Sequence, residues 1–285
     1  MTSQAQGCGS VNQSDPDSMA GRADRYALYQ ESVQDVESEI DFVLATWSEL
    51  RSRPAALLRE DFCGAANTAC EWVKRSHSHQ AYGVDHDPDV LAWGARHNVS
   101  RLTSEQQTRV ELVRADVNSN HVPAADIVLA MNFSYYLLNS RHELRRYFKN
   151  VRSGLKADGI LFLDAFGGYE AHQELEESRP CQGFTYIWEQ ASFNPIDAMM
   201  QCHIHFEFPD ESRWSRAFSY HWRLWSLPET QELLREAGFE HVDVYWEGTD
   251  PESGEGDGIY RPATTGDADP GWVCYVVAQN GVKAG

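Results

Sequence analysis

Acidic or polar side chains stand at the ends of five short apolar runs in the first 165 residues of this 285-residue chain. At the carboxyl ends of parallel strands, such side chains converge on the edge of a doubly wound sheet where ligands bind. Any one of them could instead be a helix cap or a turn residue. Five in register predict a ligand site, which comprises Glu60 with Asp61, Asp85, Asp116, Asn132 and Asp164.

Asp85 has the spacing of a ribose-binding carboxylate. It lies 21 residues after Gly64, which stands in a predicted turn. A carboxylate about 20 residues beyond a glycine-containing turn is the usual partner of a ribose diol. The residues from 63 to 66 are all small, so that the backbone can approach a ligand closely. We therefore expect a ribose-containing ligand beside this turn.

Three histidines are candidate proton acceptors. His203 and His205 are two residues apart on a predicted strand and face the same side, and His221 on the partner strand could join them. The trio could supply a general base or a metal-ligand set. It could equally be a group of solvated or capping histidines on the polar face of a sheet. Because no carboxylate spacing accompanies the trio, we expect no metal site.

The elements that must position these residues follow from hydrophobic patterning. Five apolar runs alternate with segments of helical periodicity, and two further strand-like runs, 241–246 and 272–278, close the chain. Strands that are apolar on both faces indicate a parallel sheet covered by helices. The predicted fold class is α/β, with a doubly wound, mostly parallel, seven-stranded Rossmann-like sheet. The runs are 55–60, 80–85, 110–114, 126–131 and 159–164, and the predicted helices lie near 66–76, 88–98, 140–154 and 228–237.

Two segments depart from this alternation. In 200–208 and 214–224 apolar and polar residues alternate strictly around a turn, which predicts an antiparallel hairpin, with a third strand at 184–189. We interpret 180–225 as an antiparallel insertion that forms part of the substrate pocket. Its many aromatic residues could bind a cation, although aromatic residues at strand spacing are more often core. Residues 247–271 hold seven acids and one arginine and predict a long acidic loop.

The N-terminal region divides into a tail and a helical lid. Residues 1–22 have few large apolar side chains and predict a disordered tail. The remainder, 23–285, is predicted to be a single domain. Within it, 23–54 is predicted as a lid, because apolar residues from Val36 to Leu50 recur at helical spacing before Pro54. Tyr26 and Tyr29 could cover a pocket or could simply pack on the core.

Charge and cysteine usage exclude several classes of protein. The formal net charge is −19, which argues against nucleic acid and anionic membrane surfaces as partners. No apolar run approaches the roughly 18 residues that a membrane span needs. The six cysteines form no CxxC pair, which favours reduced thiols. Because the N-terminus also resembles no secretory signal, we expect a cytoplasmic protein.

The order of these motifs resembles the class I S-adenosylmethionine-dependent methyltransferases. The family's first loop reads acidic-x-Gly-x-Gly-x-Gly, and the matching stretch here is Glu60-Asp-Phe-Cys-Gly-Ala-Ala66. Only the middle glycine remains, as Gly64. The stretch Leu-Arg-Glu-Asp-Phe-Cys-Gly is typical of a bacterial small-molecule subgroup of the family. The resemblance covers roughly residues 55–165 and the terminal strands.

The resemblance implies S-adenosyl-L-methionine as cofactor and assigns its contacts. Glu60 and Gly64 would hold the methionine end, and Asp85 would accept the ribose hydroxyls. Asp116 with Val117 would meet the adenine, and Asn132 with the residues after it would line the gap between the sulfonium and the acceptor. The implied cofactor contacts also include Tyr26, Tyr29, Arg59, Phe62, Cys63 and His86, and the candidate bases are Tyr135, His203, His205 and His221.

The predicted function is methyl transfer to a nitrogen, oxygen or sulfur of a small molecule, and thiol S-methylation is one specific alternative. A nicotinamide-dependent oxidoreductase is an alternative of another class. It would need Gly-x-Gly-x-x-Gly after the first strand and a Tyr-Lys or His catalytic pair, and neither appears. A non-catalytic protein that binds the cofactor or a partner is the third possibility. The residues do not identify the acceptor or the oligomeric state.

Overall fold

A computed structural model describes residues 15–119 and 122–281. The described residues form two compact units. The parallel-sheet unit consists of Asp35–Gly168 and Trp225–Gly285, as far as these are described. The antiparallel unit consists of the described residues before Asp35 together with Tyr169–Leu224. Since the predicted lid at 23–54 spans both units, it is not one structural element.

The parallel-sheet unit contains eight strands in the described residues. Their order is β11-β10-β12-β5-β4-β1-β2-β3. The five strands from β5 to β3 pair in parallel, and β12 inserts antiparallel between β5 and β10. The predicted α/β class with a mostly parallel sheet is confirmed. The strands are β1 (Leu57–Asp61), β2 (Gln80–Asp85), β3 (Val110–Arg114), β4 (Ala125–Ala130), β5 (Leu155–Gly167), β10 (His241–Thr249), β11 (Gly256–Ala263) and β12 (Trp272–Gln279).

The eighth strand corrects the prediction for residues 247–271. β11 lies within the predicted acidic loop and pairs antiparallel with β10 at the sheet edge. Asp250 at the turn between them accepts hydrogen bonds from the amides of Glu252 and Ser253. Charged side chains are common on edge strands, where they discourage pairing with other chains. The sequence did not predict β11, because this strand lies in an acidic segment and has no apolar run.

Helices cover the sheet where the periodicity predicted them. Ser140 forms a capping box with Glu143, and Ser226 accepts a hydrogen bond from the amide of Glu229. Across residues 15–119 and 122–281, every helix falls short of the length and hydropathy that a bilayer-spanning helix needs. The helices of this unit are α3 (Val36–Leu50), α4 (Asn67–Arg75), α5 (Pro88–His97), α6 (Ser104–Gln107), α7 (Arg141–Gly154) and α8 (Leu227–Ala237).

Helix α3 belongs to the core of the parallel-sheet unit. Its residues Ile40, Val43 and Trp47 are buried in the same cluster as Ile127 of β4 and Phe162 of β5. The apolar stripe that predicted the helix therefore packs on the sheet. This packing fixes the polar residues of α3 relative to the strand ends.

The antiparallel unit is built on a four-stranded sheet in the order β6-β7-β8-β9. Two helices, α1 (Met19–Arg22) and α2 (Arg25–Val33), contribute apolar residues to its core beside Ile204 and Phe206. Residues 19–22 were predicted to be disordered, but their backbone amides bind Asp210 and Ser212. The strands are β6 (Leu175–Cys181), which was not predicted, β7 (Phe184–Asn194), β8 (Met199–Glu207) and β9 (Arg213–Arg223).

Tyr26 and Tyr29 take the second of their two predicted roles, as packing residues. Both rings lie against Phe218 of β9, at centroid distances of 6.2 and 5.0 Å. The guanidinium of Arg25 lies over the Tyr26 ring. The two tyrosines therefore help to join α2 to the antiparallel sheet. Their contact with a cofactor stays a prediction.

Candidate functional site

Three of the predicted acids project from one face of the parallel sheet. Glu60 on β1 is in register with Gly83 on β2 and with Leu129 on β4, which in turn aligns with Phe162 on β5. Side chains two residues apart on a strand share a face. Asp85, two residues beyond Gly83, and Asp164, two beyond Phe162, therefore lie on the Glu60 face. Asp61 points to the opposite face.

The loop between β1 and α4 holds three left-handed residues at alternate positions. Phe62, Gly64 and Ala66 have φ values of 55°, 51° and 55°. These are the three places at which the methyltransferase loop pattern has glycine. Phe62 and Ala66 adopt the glycine-type backbone at a cost of roughly 1–2 kcal/mol each, because their Cβ atoms crowd the backbone.

Helix α5 supports this loop from behind. A Cβ added to Gly94 would lie 2.4 Å from the carbonyl oxygen of Ala65. The side-chain amide of Asn98 donates to that same oxygen at 2.8 Å. Gly94 and Asn98 were not predicted as site residues. A glycine within an amphipathic helix pattern was the available signal, since such a residue often marks a close approach.

The carboxylate of Asp85 accepts hydrogen bonds from the loop after β1 and from the start of α5. Its Oδ2 accepts from the amide of Gly64 at 2.9 Å, and its Oδ1 accepts from the amide of Asp87 at 2.9 Å. The side chain of His86 is exposed, with Nδ1 at 3.6 Å from Asp85 Oδ1. A carboxylate offers about four lone-pair sites. Asp85 therefore retains capacity for two further donors, as a ribose diol requires.

Glu60 is buried at the N-terminus of α4. Its Oε2 accepts from the amide of Ala69 at 2.8 Å, and the hydroxyl of Thr68 is a second hydrogen-bonding group. Burial raises the pKa of Glu60 to about 8, and the charges of Asp85 and Asp61 add to this effect. A cation bound beside Glu60 would favour its ionised form.

On the opposite face, Arg59 organises the sheet interior. Its Nε donates to Asp61 Oδ1 at 2.6 Å, and its Nη2 donates to the carbonyl oxygen of Val117 at 2.8 Å. Tyr147 of α7 donates to Asp61 Oδ2 at 2.9 Å. Arg59 is 1% exposed. Its Nε and Nη2 are engaged inside the protein, where they hold Asp61 and the Val117 backbone, and the cofactor contact of Arg59 stays a prediction.

The two residues predicted to meet the adenine lie in the turn after β3. The side chain of Asp116 is exposed and accepts from the amide of Asn118 at 2.8 Å. Val117 is buried, and its carbonyl oxygen is the one that Arg59 holds. The contact of Asp116 and Val117 with the adenine stays a prediction.

Asp164 fixes the loop after β4. Its carboxylate accepts from the amides of Asn132 and Phe133 at 2.7 and 2.8 Å, and both of these residues are left-handed. Burial raises the pKa of Asp164 to about 7. β5 continues to Gly167, so Asp164 lies within the strand rather than after it. It holds Asn132 at the strand end.

Two predicted residues of this region are packed in the interior. Tyr135, a candidate base, has 0% exposure, and burial raises the pKa of its hydroxyl well above the ordinary value. Such an environment does not favour a base, and the role of Tyr135 stays a prediction. Cys63 is also buried, and burial raises its thiol pKa. Cys63 is therefore a small packing residue in this structure, and its contact with the cofactor stays a prediction.

The histidines of β8 lie in the antiparallel unit and share one face, as predicted. His203 and His205 are both buried, with ring centroids 6.1 Å apart. The Nδ1 of His205 accepts a hydrogen bond from the backbone amide of Arg216, and its Nε2 lies 2.9 Å from Glu189 Oε2. Both ring nitrogens of His205 are therefore engaged, which leaves it no lone pair for a substrate proton.

His203 differs from its two neighbours. Its Nδ1 lies 2.7 Å from the hydroxyl oxygen of Ser219, and burial lowers the pKa of the ring. A histidine with a lowered pKa is neutral near pH 7 and can accept a proton. His221 aligns with Gln201, next to His203 on the same face, and is exposed. Of the three, His203 has the environment that best suits a base.

Comparisons with known proteins agree with this arrangement. Residues 61–163 match the model of the methyltransferase domain family. No curated protein matches the chain in a sequence search. Three solved structures share the fold, with identities of 15%, 16% and 18% and TM-scores of 0.66, 0.62 and 0.61.

The first of these structures is an S-adenosylmethionine-dependent methyltransferase from Clostridium acetobutylicum, with 90% of this chain and 98% of that chain covered. The second is CalS10, an amino pentose methyltransferase from Micromonospora echinaspora, with 90% and 95% covered. The third is the sugar N-methyltransferase KedS8 from Streptoalloteichus, with 99% and 100% covered. At these identities the likeness establishes the shared fold.

The family match contains most of the cofactor positions predicted from the sequence, from the loop after β1 to Asn132. Together with the fold that the chain shares with S-adenosylmethionine-dependent methyltransferases, it supports the predicted class I enzyme with S-adenosylmethionine as cofactor. The nicotinamide-dependent alternative is not favoured. The roles of the individual residues stay predictions.

Proposed function

We propose that this methyltransferase transfers a methyl group to a small molecule, and that the acceptor atom is an amine nitrogen. The observation that supports the cofactor half of the proposal is the Asp85–Gly64 hydrogen bond, which lies within the matched domain and beside buried Glu60. The amine half is supported by solved structures of the same fold, which include a sugar N-methyltransferase and a glycopeptide N-methyltransferase.

The residues of the site fit the cofactor. Asp85 has lone pairs left for a ribose diol, and a Cβ added to Gly64 would lie 3.8 Å from Cγ2 of Val90, an ordinary van der Waals distance. Glu60 is a buried carboxyl group without a paired cationic side chain among the groups that set its pKa. When bound, S-adenosylmethionine supplies a methyl group on a positively charged sulfur.

The protein's contribution is to bind, orient and exclude water. Methyl transfer from an activated donor depends mainly on alignment of the acceptor. The loop of residues 62–66 is held by α5, and the loop at Asn132 is held by Asp164, so that two strand ends present rigid backbone to the ligand. Rigid supports of this kind keep reacting groups within a narrow range of positions.

An amine acceptor also needs to lose a proton, because most alkylamines are protonated near neutral pH. We propose His203 as the proton acceptor. The argument rests on its lowered pKa and on the contrast with His205, whose two ring nitrogens both have hydrogen-bond partners. Thiol S-methylation needs the same deprotonation and stays a second candidate.

A panel of acceptors tests the proposed reaction. The protein is incubated with methyl-labelled S-adenosylmethionine and with amino sugars, simple amines, thiols, phenols and carboxylic acids. We expect labelled product with the amines. If only thiols became labelled, thiol S-methylation would take the place of amine methylation as the proposed reaction. Calorimetric binding of NAD without binding of S-adenosylmethionine would overturn the proposal as a whole.

Two matched histidine variants test the base. We expect His203→Gln to lower kcat at pH 7 by about 10²-fold or more, the usual contribution of general base catalysis, and to remove the acidic limb of the pH–rate profile. His221→Gln removes an exposed ring from the same face and should leave both unchanged. Equal effects of the two substitutions would disprove the assignment.

The expected partners are small molecules rather than nucleic acid or membranes, in line with the net charge of −19. A cytoplasmic location is also part of the proposal. The described cysteines, Cys63, Cys70, Cys181, Cys202 and Cys274, all have free thiols, as a reducing compartment favours. Cell fractionation tests the location directly.

A further inference from the structure

A carboxyl group that the sequence did not single out lies beside the predicted cofactor residues. Glu39, in the first turn of α3, interacts electrostatically with Glu60 of β1 and Asp164 of β5. The hydroxyl of Thr68 hydrogen-bonds with the carboxyl groups of both Glu39 and Glu60. Helix α3 therefore brings a further acid to the sheet face on which the ligand site was predicted.

The environment of Glu39 is unfavourable for a carboxylate without a ligand. Burial, then the charges of Asp164, Glu60 and Asp35, raise its pKa to about 8. Glu39 Oε2 is buried and has no hydrogen-bond partner among the described residues. An unsatisfied buried acceptor costs about 1–3 kcal/mol, and more if it is charged. The site therefore lacks one donor or cation that would satisfy this oxygen.

No cationic side chain is among the groups that set the pKa of Glu39. These groups are Asp164, Glu60, Asp35 at the cap of α3, and the uncharged Thr68. From β12, Tyr275 is the neighbour that Glu39 affects, and its pKa is raised by burial and by the Glu39 charge. Across residues 15–119 and 122–281, no group of three or more His, Cys, Asp or Glu residues could hold a metal ion. An organic cation fits this cluster better.

We propose that Glu39 is a further cofactor-binding residue, whose carboxylate joins Glu60 in binding a cationic group at the methionine end of S-adenosylmethionine. The inference rests on the assignment of Glu60 within the proposed function. It extends the site from the strand ends to α3, so that cofactor binding depends on the packing of that helix. Glu39 binds in its ionised form, because only a carboxylate pairs with a cation.

A pH-dependent affinity follows from this role. Near pH 7 the groups Glu39, Glu60 and Asp164 are partly protonated, since burial raises their pKa values to about 8, 8 and 7. A bound cation lowers the pKa of the carboxyl groups that it contacts. Binding therefore releases protons near pH 7, and affinity for S-adenosylmethionine rises between about pH 6 and pH 8.

Calorimetric titration measures this effect without reference to activity. Binding of S-adenosylmethionine is measured at pH 7 in two buffers of different ionisation enthalpy, which gives the number of protons released. We expect Glu39→Gln to raise the Kd about tenfold or more, to reduce the proton release and to flatten the pH dependence. Glu37→Gln removes a charge from the exposed side of the same turn and should leave all three values unchanged.

Binding of S-adenosylhomocysteine identifies the group that Glu39 contacts. This product keeps the ammonium of the cofactor but lacks the sulfonium charge. Equal losses of affinity for both ligands in Glu39→Gln would assign the contact to the ammonium, and a loss for S-adenosylmethionine alone would assign it to the sulfonium. Unchanged affinity and proton release for both ligands would overturn the inference.

Further measurements separate the role of Glu39 from an effect on folding and from the proposed function. Glutamine resembles protonated glutamate, so Glu39→Gln should unfold in urea at or above the wild-type midpoint. Glu39→Asp, which keeps the charge on a shorter side chain, should retain part of the proton release. If Glu39→Gln binds like the wild type while labelled methyl transfer proceeds, this inference fails and the proposed function stands. If the wild-type protein binds S-adenosylmethionine and methylates no acceptor, the proposed function fails and the role of Glu39 is still measured.

Discussion

The side chain of Asp85 and the backbone amide of Gly64 are joined by a hydrogen bond of 2.9 Å that connects the ends of β1 and β2. The same carboxylate also accepts from Asp87 at the start of α5. Asp85 thus shapes the loop beside it in addition to its predicted contact with the ribose. Loss of this one side chain removes a ligand partner and two supports of the site.

We expect Asp85→Ala to raise the Kd for S-adenosylmethionine at least 100-fold, which corresponds to about 2.7 kcal/mol. The physical reason is the combined loss of the ribose contacts and of the acceptor for the Gly64 amide. Calorimetric titration measures the change. Asp89→Ala, in the exposed first turn of α5, is the matched control and should change the Kd little. Unchanged affinity in Asp85→Ala would disprove the assignment of the site while leaving the enzyme class untouched.

Gly94→Ala should weaken both stability and cofactor binding. The added methyl group would lie 2.4 Å from the Ala65 carbonyl oxygen, so that α5 and the loop must move apart. Overpacking of this kind typically costs about 1–3 kcal/mol. Urea unfolding and the Kd for S-adenosylmethionine measure the two effects. Gly271→Ala makes the same chemical change where a Cβ meets no atom within 4 Å and should be close to neutral; a similar loss in both variants would contradict the packing argument.

Ala66→Gly and Ala65→Gly should differ in stability. Both substitutions remove one methyl group, whose burial stabilises the folded state by about 0.8 kcal/mol. Both also raise the conformational entropy of the unfolded chain. Only Ala66 has a left-handed backbone, with φ of 55°, so only its replacement relieves about 1–2 kcal/mol of strain. We expect Ala66→Gly to be more stable than Ala65→Gly by roughly 1 kcal/mol in chemical denaturation. The reverse order would show that the loop is not strained at Ala66.

The stability of the protein without cofactor should fall as the pH rises from about 5 to 8. Burial raises the pKa of Glu60 to about 8 in the folded state, so the folded protein holds a proton that the unfolded chain has already lost. Each such group lowers the unfolding free energy by up to about 1.4 kcal/mol per pH unit in this range. Urea midpoints at pH 6 and pH 8 measure the fall.

Two variants isolate the contribution of Glu60 to this fall. Glu60→Gln removes the titrating group and should make the difference between pH 6 and pH 8 smaller. Glu111→Gln, on the exposed side of β3, should show the wild-type difference. If Glu60→Gln lost as much stability as the wild type over this range, Glu60 would be ionised throughout.

Much of the parallel-sheet unit could be predicted because its signals are local. The alternation of short apolar runs with helical periodicity located β1 to β5 and the helices near 140–154 and 228–237, which the structure places at Arg141–Gly154 and Leu227–Ala237. Each signal depends on a few neighbouring residues. The site residues Glu60, Gly64 and Asp85 were found in the same way, from a strand end and a spacing.

Other features depend on partners distant in the sequence. β11 was missed because its apolar content is low and its pairing with β10 makes it a strand. Tyr135 was predicted as a base because it follows a strand end, but its hydroxyl is buried by the surrounding packing. The predicted lid was divided because α3 packs on the parallel sheet and α2 on the antiparallel one. Periodicity shows that a helix has an apolar side and does not show which core receives it.

The sequence by itself determined the α/β class, the order of the strands along the chain and the acids at their ends, because these follow from local patterning and residue type. Only the tertiary structure decided which of those acids share a face and what each one binds. It turned Arg59 inward to Asp61 and Val117, placed Asp164 under the Asn132 loop, and brought Glu39 beside Glu60. Burial and electrostatic coupling arise only when distant segments pack together, and they raise the pKa values of Glu39, Glu60 and Asp164.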